Sequence, residues 1–210
     1  LSNTEITIAC WVKPLSSGKN DNGTIFYGSL KGTTINSLLT QWYGGFGIYI
    51  NNNKFRFRVA KHDSNSSYSE WDSREIDYDN WYLLSWSLKY NGISKFDTNE
   101  HYTKITITKE NGELQKFESN DFYYPYFTKT YDFTIGCWTC ETWQSDSTNS
   151  ERNFDGYIND FRIYNKVLNN DNTTILSNYT YQDNVGNAGN VKKMLDGDEL
   201  IIDDIEIYDF

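Results

Sequence analysis

One pattern constrains this chain more than any other. Apolar residues return at every second position, in short runs separated by turn-forming residues. Such runs occur at 5–13 (EITIACWVK), 24–30 (TIFYGSL), 37–43 (SLLTQWY), 81–90 (WYLLSWSLKY) and 131–138 (YDFTIGCW). A period of two puts successive side chains on opposite faces of an extended backbone, so each run predicts a strand with one face to bury. Residues 45–60 (GFGIYINNNKFRFRVA) read as a hairpin turning at 51–53, where asparagine tolerates the positive φ of a tight turn. Residues 101–118 (HYTKITITKENGELQKFE) read as a second hairpin turning at Asn111-Gly112. Between them, 61–73 (KHDSNSSYSEWDS) is polar and reads as a loop. Only 165–179 (NKVLNNDNTTILSNY) resembles a helix, of one or two turns. Short strands without βα alternation predict an all-β, two-sheet antiparallel sandwich of jelly-roll type.

Composition agrees with that fold class. Aromatics make up 17% of 210 residues, and Thr, Ile, Tyr, Phe and Trp favour pleated, half-buried surfaces. The length suits one domain, expected to span 1–210. Its last part, 180–210, is a Gly/Asn-rich extension ending in a final strand (DELIIDDIEIYDF) of the kind that returns beside the first. The chain opens at Leu1 rather than Met, so it is expected to be processed or a fragment of something longer.

The formal charge is −10 with no basic run, which removes the driving force for nucleic-acid binding. No stretch approaches the roughly 18 apolar residues of a spanning helix, so membrane insertion is not expected. Three cysteines, Cys10, Cys137 and Cys140, leave at least one thiol unbridged. Cys137 and Cys140 form a lone CxxC that trails a strand. A zinc site needs about four ligands, and His62 and His101 show no paired ligand spacing.

One stretch, 154–168 (FDGYINDFRIYNKVL), breaks the alternation. Placing Phe154, Ile158, Phe161 and Ile163 on the core side requires one extra residue near Asn159-Asp160, which a β-bulge supplies. Asp155-Gly156 provides the turn into that strand.

In order, these pieces resemble the laminin-G-like, pentraxin-related branch of the concanavalin A-like lectin/glucanase superfamily. ITIACWVKP, with Trp11, Lys13 and Pro14, looks like its early strand. GFGIYINNNKFRFRV and KITITKENGELQ are similar to its hairpins. NWYLLSWSLKYNG resembles its Trp-led strand, here Trp81. FTIGCW carries its Ile-Gly, and FDGYINDFRIYNKVL its closing signature, followed by the segment that suits a short helix. The resemblance spans about 5–178. It implies a two-sheet jelly roll, extracellular or on a virion surface, that binds a glycan or a surface protein without catalysis. A structural role among subunits of a larger assembly is the competing reading, and a glycoside hydrolase the third.

Each reading has candidate residues. Ring stacking on sugars would use Trp42, Tyr43, Trp71, Trp138 and Trp143, which fall at strand ends or in loops, whereas Trp11 and Trp81 match core positions. Calcium, which takes oxygen ligands from flexible loops, would use Asp21 in KNDNGT and Asp155 beside Gly156. Glucanase relatives carry Glu-x-Asp-x-x-Glu or Glu-x-Asp-x-Glu on one strand face. Glu75, Asp77 and Asp79 have that alternation but lie in what reads as an ordinary polar approach to Trp81, and Asp204 and Glu206 lie too near the chain end. No catalytic residue is expected.

Overall fold

A computed structural model of the protein describes residues 5–18, 21–30, 46–60, 68–89, 102–120, 131–136, 153–168 and 199–201. They form eleven strands: β1 (Glu5–Pro14), β2 (Thr24–Leu30), β3 (Phe46–Asn51), β4 (Lys54–Ala60), β5 (Tyr68–Glu75), β6 (Tyr82–Lys89), β7 (Tyr102–Lys109), β8 (Leu114–Ser119), β9 (Tyr131–Ile135), β10 (Gly156–Tyr164) and β11 (Glu199–Ile201). The strands make two sheets, in the orders β5-β4-β3-β2-β9 and β11-β10-β1-β6-β7-β8. The all-β, two-sheet antiparallel class expected from the sequence is the class observed. Two compact units divide the chain along similar lines. The first is drawn mainly from Pro14–Tyr78 and Phe122–Gly156, the second from Asn3–Lys13, Asp79–Asp121 and Tyr157–Phe210.

In the five-stranded sheet the alternation sorts side chains cleanly. Phe26, Phe46, Ile48, Ile50, Phe55, Phe57 and Val59 are buried. Register sets Phe46, Ile48 and Ile50 opposite Val59, Phe57 and Phe55. The Phe26 and Phe46 rings tilt against each other at 5.6 Å between centroids, a favoured aromatic geometry. The β3–β4 turn has Asn52 and Asn53 at φ of 48° and 60°, the two positive angles of a type I′ hairpin. β5 corrects the sequence reading, which made 61–73 a loop. Residues 68–73 belong to a strand paired with β4. At the end of the described strand order, β5 needs few apolar residues, and its charged side chains suit an edge.

The central strands of the six-stranded sheet are buried on both faces. Ile6, Ile8, Cys10 and Val12 of β1 lie opposite Leu88, Trp86, Leu84 and Tyr82 of β6. On the other face Ala9, Trp11 and Leu83 form a buried cluster with Tyr164 and Leu168, and Trp81 packs half-buried against it. The sequence reading placed Trp81 in the core alongside Trp11; only Trp11 is fully buried. A hydroxyl supports this second face. Thr7 Oγ1 donates to the Lys166 carbonyl at 2.6 Å, accepts from Leu168 N–H at 3.2 Å, and meets Ser87 Oγ at 2.7 Å. The β7–β8 hairpin turns through 110–112, with Lys109 and Glu113 paired and Gly112 at φ 87°. This is a type I turn with a glycine bulge.

β10 leaves the extended region where the broken alternation required it, for Asp160 has φ 51°. Phe161 and Ile163 are buried, while Phe154 and Ile158 are half-buried. Asp160 accepts from Arg162 Nε at 2.6 Å. Burial disfavours the Arg162 charge, but Asp160 and Tyr164 outweigh it and raise its pKa. Asp160 thus marks a break in the extended backbone at the position where a bulge was expected. β11 pairs with β10, setting Tyr164 opposite Glu199 and Arg162 opposite Ile201. The final strand therefore lies beside β10 rather than beside β1. Residues 165–168 are irregular; the rest of the expected helix, and the expected strand at 37–43, lie outside the described residues.

Candidate ligand-binding face

The face of the five-stranded sheet opposite its buried row carries the richest cluster of functional groups among the described residues. In β4 the alternation that turns Phe55, Phe57 and Val59 inward turns Lys54, Arg56 and Arg58 outward. Register places each base across from an acid of β5: Lys54 opposite Glu75, Arg56 opposite Asp72, Arg58 opposite Glu70. Between the first two rungs β5 has one extra residue, a bulge marked by a register shift at Lys54/Arg56. Phe55 N–H donates to Ser73 Oγ at 2.9 Å there, and the bulge restores Glu75 to the face of Glu70 and Asp72.

The contacts form a lattice. Arg56 is bidentate on Asp72, with Nε to Oδ1 at 2.6 Å and Nη2 to Oδ2 at 2.8 Å, the strong geometry for guanidinium and carboxylate. Glu70 lies 3.4 Å from Arg56 Nη1 and 3.5 Å from Arg58 Nε, and accepts from the Tyr49 hydroxyl at 3.3 Å. The Arg58 guanidinium sits 3.7 Å from the Tyr68 ring centroid, a close cation–π contact. Tyr68 is 43% exposed. Asp72 raises the Arg56 pKa; burial opposes it and Glu70 adds to it. Burial pushes the Tyr49 phenol up, with Arg58 pulling the other way. Beside Tyr49, Tyr27 lies over Gly47, where an added Cβ would come within 2.8 Å of the ring and 2.9 Å of the Phe26 carbonyl.

Of the aromatic residues expected to stack on sugars, Trp71 is described. It lies opposite Phe57, in the row with the buried side chains, so its ring is turned away from the open face. Trp42, Tyr43, Trp138 and Trp143 lie outside the described residues, as do Cys137, Cys140, Asp204 and Glu206. Cys10 is buried as a free thiol, its pKa pushed up by burial and by Asp160. Glu75, Asp77 and Asp79 do not form a strand row. β5 ends at Glu75, and Asp79, at φ 63°, pairs with Lys13 at 2.7 Å.

Asp21 and Asp155 each hold a serine of one loop. Asp21 accepts from Ser17, Asp155 accepts from the adjacent Ser16, and Leu15 N–H donates to the Asp155 carbonyl at 2.9 Å. No group of three His, Cys, Asp or Glu side chains converges among the described residues. Asp21 and Asp155 both offer carboxylate oxygens, the ligand type a hard cation such as calcium takes.

Sequence reasoning missed the face itself. The signal was in the sequence: Arg56 and Arg58 alternate with Phe55, Phe57 and Val59, and Glu70-Trp-Asp72-Ser-Arg-Glu75 has the Glu-x-Asp-x-x-Glu spacing sought elsewhere. Reading 61–73 as a loop hid both.

A laminin-G family model, described as the concanavalin A-like lectin/glucanases superfamily, matches residues 1–173. No curated protein matches the chain. Similar solved structures include a PL-14 alginate lyase from the marine Aplysia kurodai, with TM-score 0.47 and 13% identity over 78% of this chain and 70% of that one. Domains LG4-5 of the mouse laminin alpha1 chain give TM-score 0.42 and 14% identity, over 77% of this chain and 35% of that one. The binding domain of botulinum neurotoxin serotype C1 gives 0.45 and 17%, over 83% and 36%. The chain thus spans about a third of the laminin and toxin structures.

Proposed function

The chain belongs to the concanavalin A-like lectin/glucanases superfamily, and on that premise we propose that it is a non-catalytic recognition module. Its site is the open face of β3, β4 and β5, and its ligand is a glycan presented at a cell or virion exterior. The observation that carries this reading is the paired-charge lattice with an exposed ring at its edge. Tyr68 offers a flat apolar surface to a sugar ring. Around it, hydroxyl, guanidinium and carboxylate groups are held in fixed positions by one another, so little side-chain entropy is lost on binding.

The same residues argue against catalysis. A retaining glycosidase needs one carboxyl as acid and another as nucleophile, about 5–5.5 Å apart. Here Asp72 spends both oxygens on Arg56, and Glu70 is held between Arg56, Arg58 and Tyr49. Carboxylates tied to arginines serve as anchors. Calcium would add a second element if held by Asp21 and Asp155, supplying positive charge and open coordination positions for ligand oxygens.

A glycan array probed with wild type, Tyr68→Ala and Arg58→Ala tests the proposal. Binding that weakens in both variants supports it. No sugar bound above background, together with oligomers in sedimentation, would transfer the protein to the structural reading. Turnover of β-glucans abolished by Glu70→Gln would make it an enzyme.

A further inference from the structure

We infer that the β4–β5 face selects uncharged glycans and discriminates against acidic ones; the inference rests on the recognition reading above. The face is balanced rung by rung. Lys54, Arg56 and Arg58 stand across from Glu75, Asp72 and Glu70, three bases against three acids, within a chain of formal charge −10. An acidic saccharide is recognised by guanidinium groups with donors to spare, and the central one, Arg56, has its donors engaged here. Arg56 has Nε and Nη2 on Asp72 and Nη1 near Glu70. Arg58 is drawn to Glu70 and to the face of Tyr68. To bind there, a uronate, sialate or sulfate would have to displace a bidentate carboxylate and approach a negatively charged protein.

A hydroxyl faces neither obstacle, because it both donates and accepts. It can donate to the remaining lone pairs of Glu70 and Asp72, which would repel a carboxylate or sulfate, without breaking a pair. The three rungs extend over four residue steps of β4, about 13 Å, long enough for an oligosaccharide. The ladder is also what cross-strand pairing alone would produce at an edge, so the test must read selectivity as well as stability.

The full chain is probed on an array of neutral hexose oligomers alongside counterparts bearing uronate, sialate or sulfate, at low and high ionic strength. Wild type is expected to prefer neutral oligomers by about tenfold or more, with less than about twofold change on adding salt. Asp72→Asn unpairs Arg56 and should raise binding to acidic oligomers about tenfold, in a salt-sensitive manner. Glu70→Gln, checked for folding by circular dichroism, provides the same readout should Asp72→Asn fail to fold. Preference of the wild type for acidic oligomers, or an unchanged acidic-to-neutral ratio in both folded variants, overturns the inference and leaves the recognition reading standing. Failure of folded wild type to bind any glycan overturns both.

Discussion

Replacing Thr7 with valine keeps the shape of a fully buried side chain and removes one hydroxyl. That hydroxyl is saturated: its proton goes to the Lys166 carbonyl, and its lone pairs accept from Leu168 N–H and Ser87 Oγ. Thr7 is 0% exposed, so water cannot take its place at these partners without opening the face. Each buried group that loses a partner costs about 1–3 kcal/mol. The three share one centre and are not additive. Thr7→Val is therefore expected to destabilise the protein by about 2–5 kcal/mol. Thr7→Ser keeps the hydroxyl and loses one methyl, about 1 kcal/mol. Urea unfolding followed by tryptophan fluorescence reads both, as a lower midpoint at unchanged slope. Glycan binding by the folded fraction should be unchanged. A Thr7→Val midpoint within about 0.5 kcal/mol of wild type, or serine as damaging as valine, would refute the argument that this hydroxyl pins 166–168 to β1.

Four further outcomes are expected. Trp71→Ala should cost about 2–3 kcal/mol, as for loss of a partly buried ring, with glycan binding unchanged; lost binding would put its ring in the site. Gly47→Ala forces Tyr27 or the Phe26 carbonyl aside, an overpacking cost of about 1–3 kcal/mol seen in thermal denaturation; a neutral result would mean that the β2–β3 contact has slack. Glu5 has a lowered pKa, chiefly from its hydrogen bond to Lys89, opposed by burial and aided by Val167 N–H. Its contribution is present above the ordinary carboxylate range and lost as pH falls through the lowered folded value. Glu5→Gln should thus cost under about 1 kcal/mol at neutral pH and nothing in strong acid; a pH-independent difference contradicts this. Calcium at about a hundred times its Kd should stabilise the protein by about 2.7 kcal/mol, and Asp21→Asn or Asp155→Asn should abolish the effect. A melting temperature indifferent to calcium and to chelator dismisses the ion.

Legibility in the sequence followed burial. β1, β3, β4, β6 and β7 each bury a regular apolar row, and a row of period two leaves little choice of structure. The break in β10 was legible for a related reason: Ile158 and Phe161 cannot share a side in an unbroken strand, so the defect revealed itself, and Asp160 has a positive φ there. β5 escaped because an edge strand of Tyr, Ser, Glu, Trp and Asp looks like a loop until its partner is known. The open face escaped with it. Lys54, Arg56 and Arg58 look like an ordinary solvated row when β4 is read alone. Only the register to Glu75, Asp72 and Glu70 turns them into a lattice, and register is a long-range property. Asp21 and Asp155 show the same limit, since 134 positions separate two residues that hold adjacent serines of one loop.

The most direct test of the central claim is to map, by backbone amide shifts in NMR, where a neutral oligosaccharide from the array binds the full chain. The account predicts saturable shifts centred on Tyr49, Arg56, Arg58, Tyr68, Glu70 and Asp72, with β1 and β6 silent. Shifts that centre elsewhere while β4 and β5 stay unmoved would contradict it.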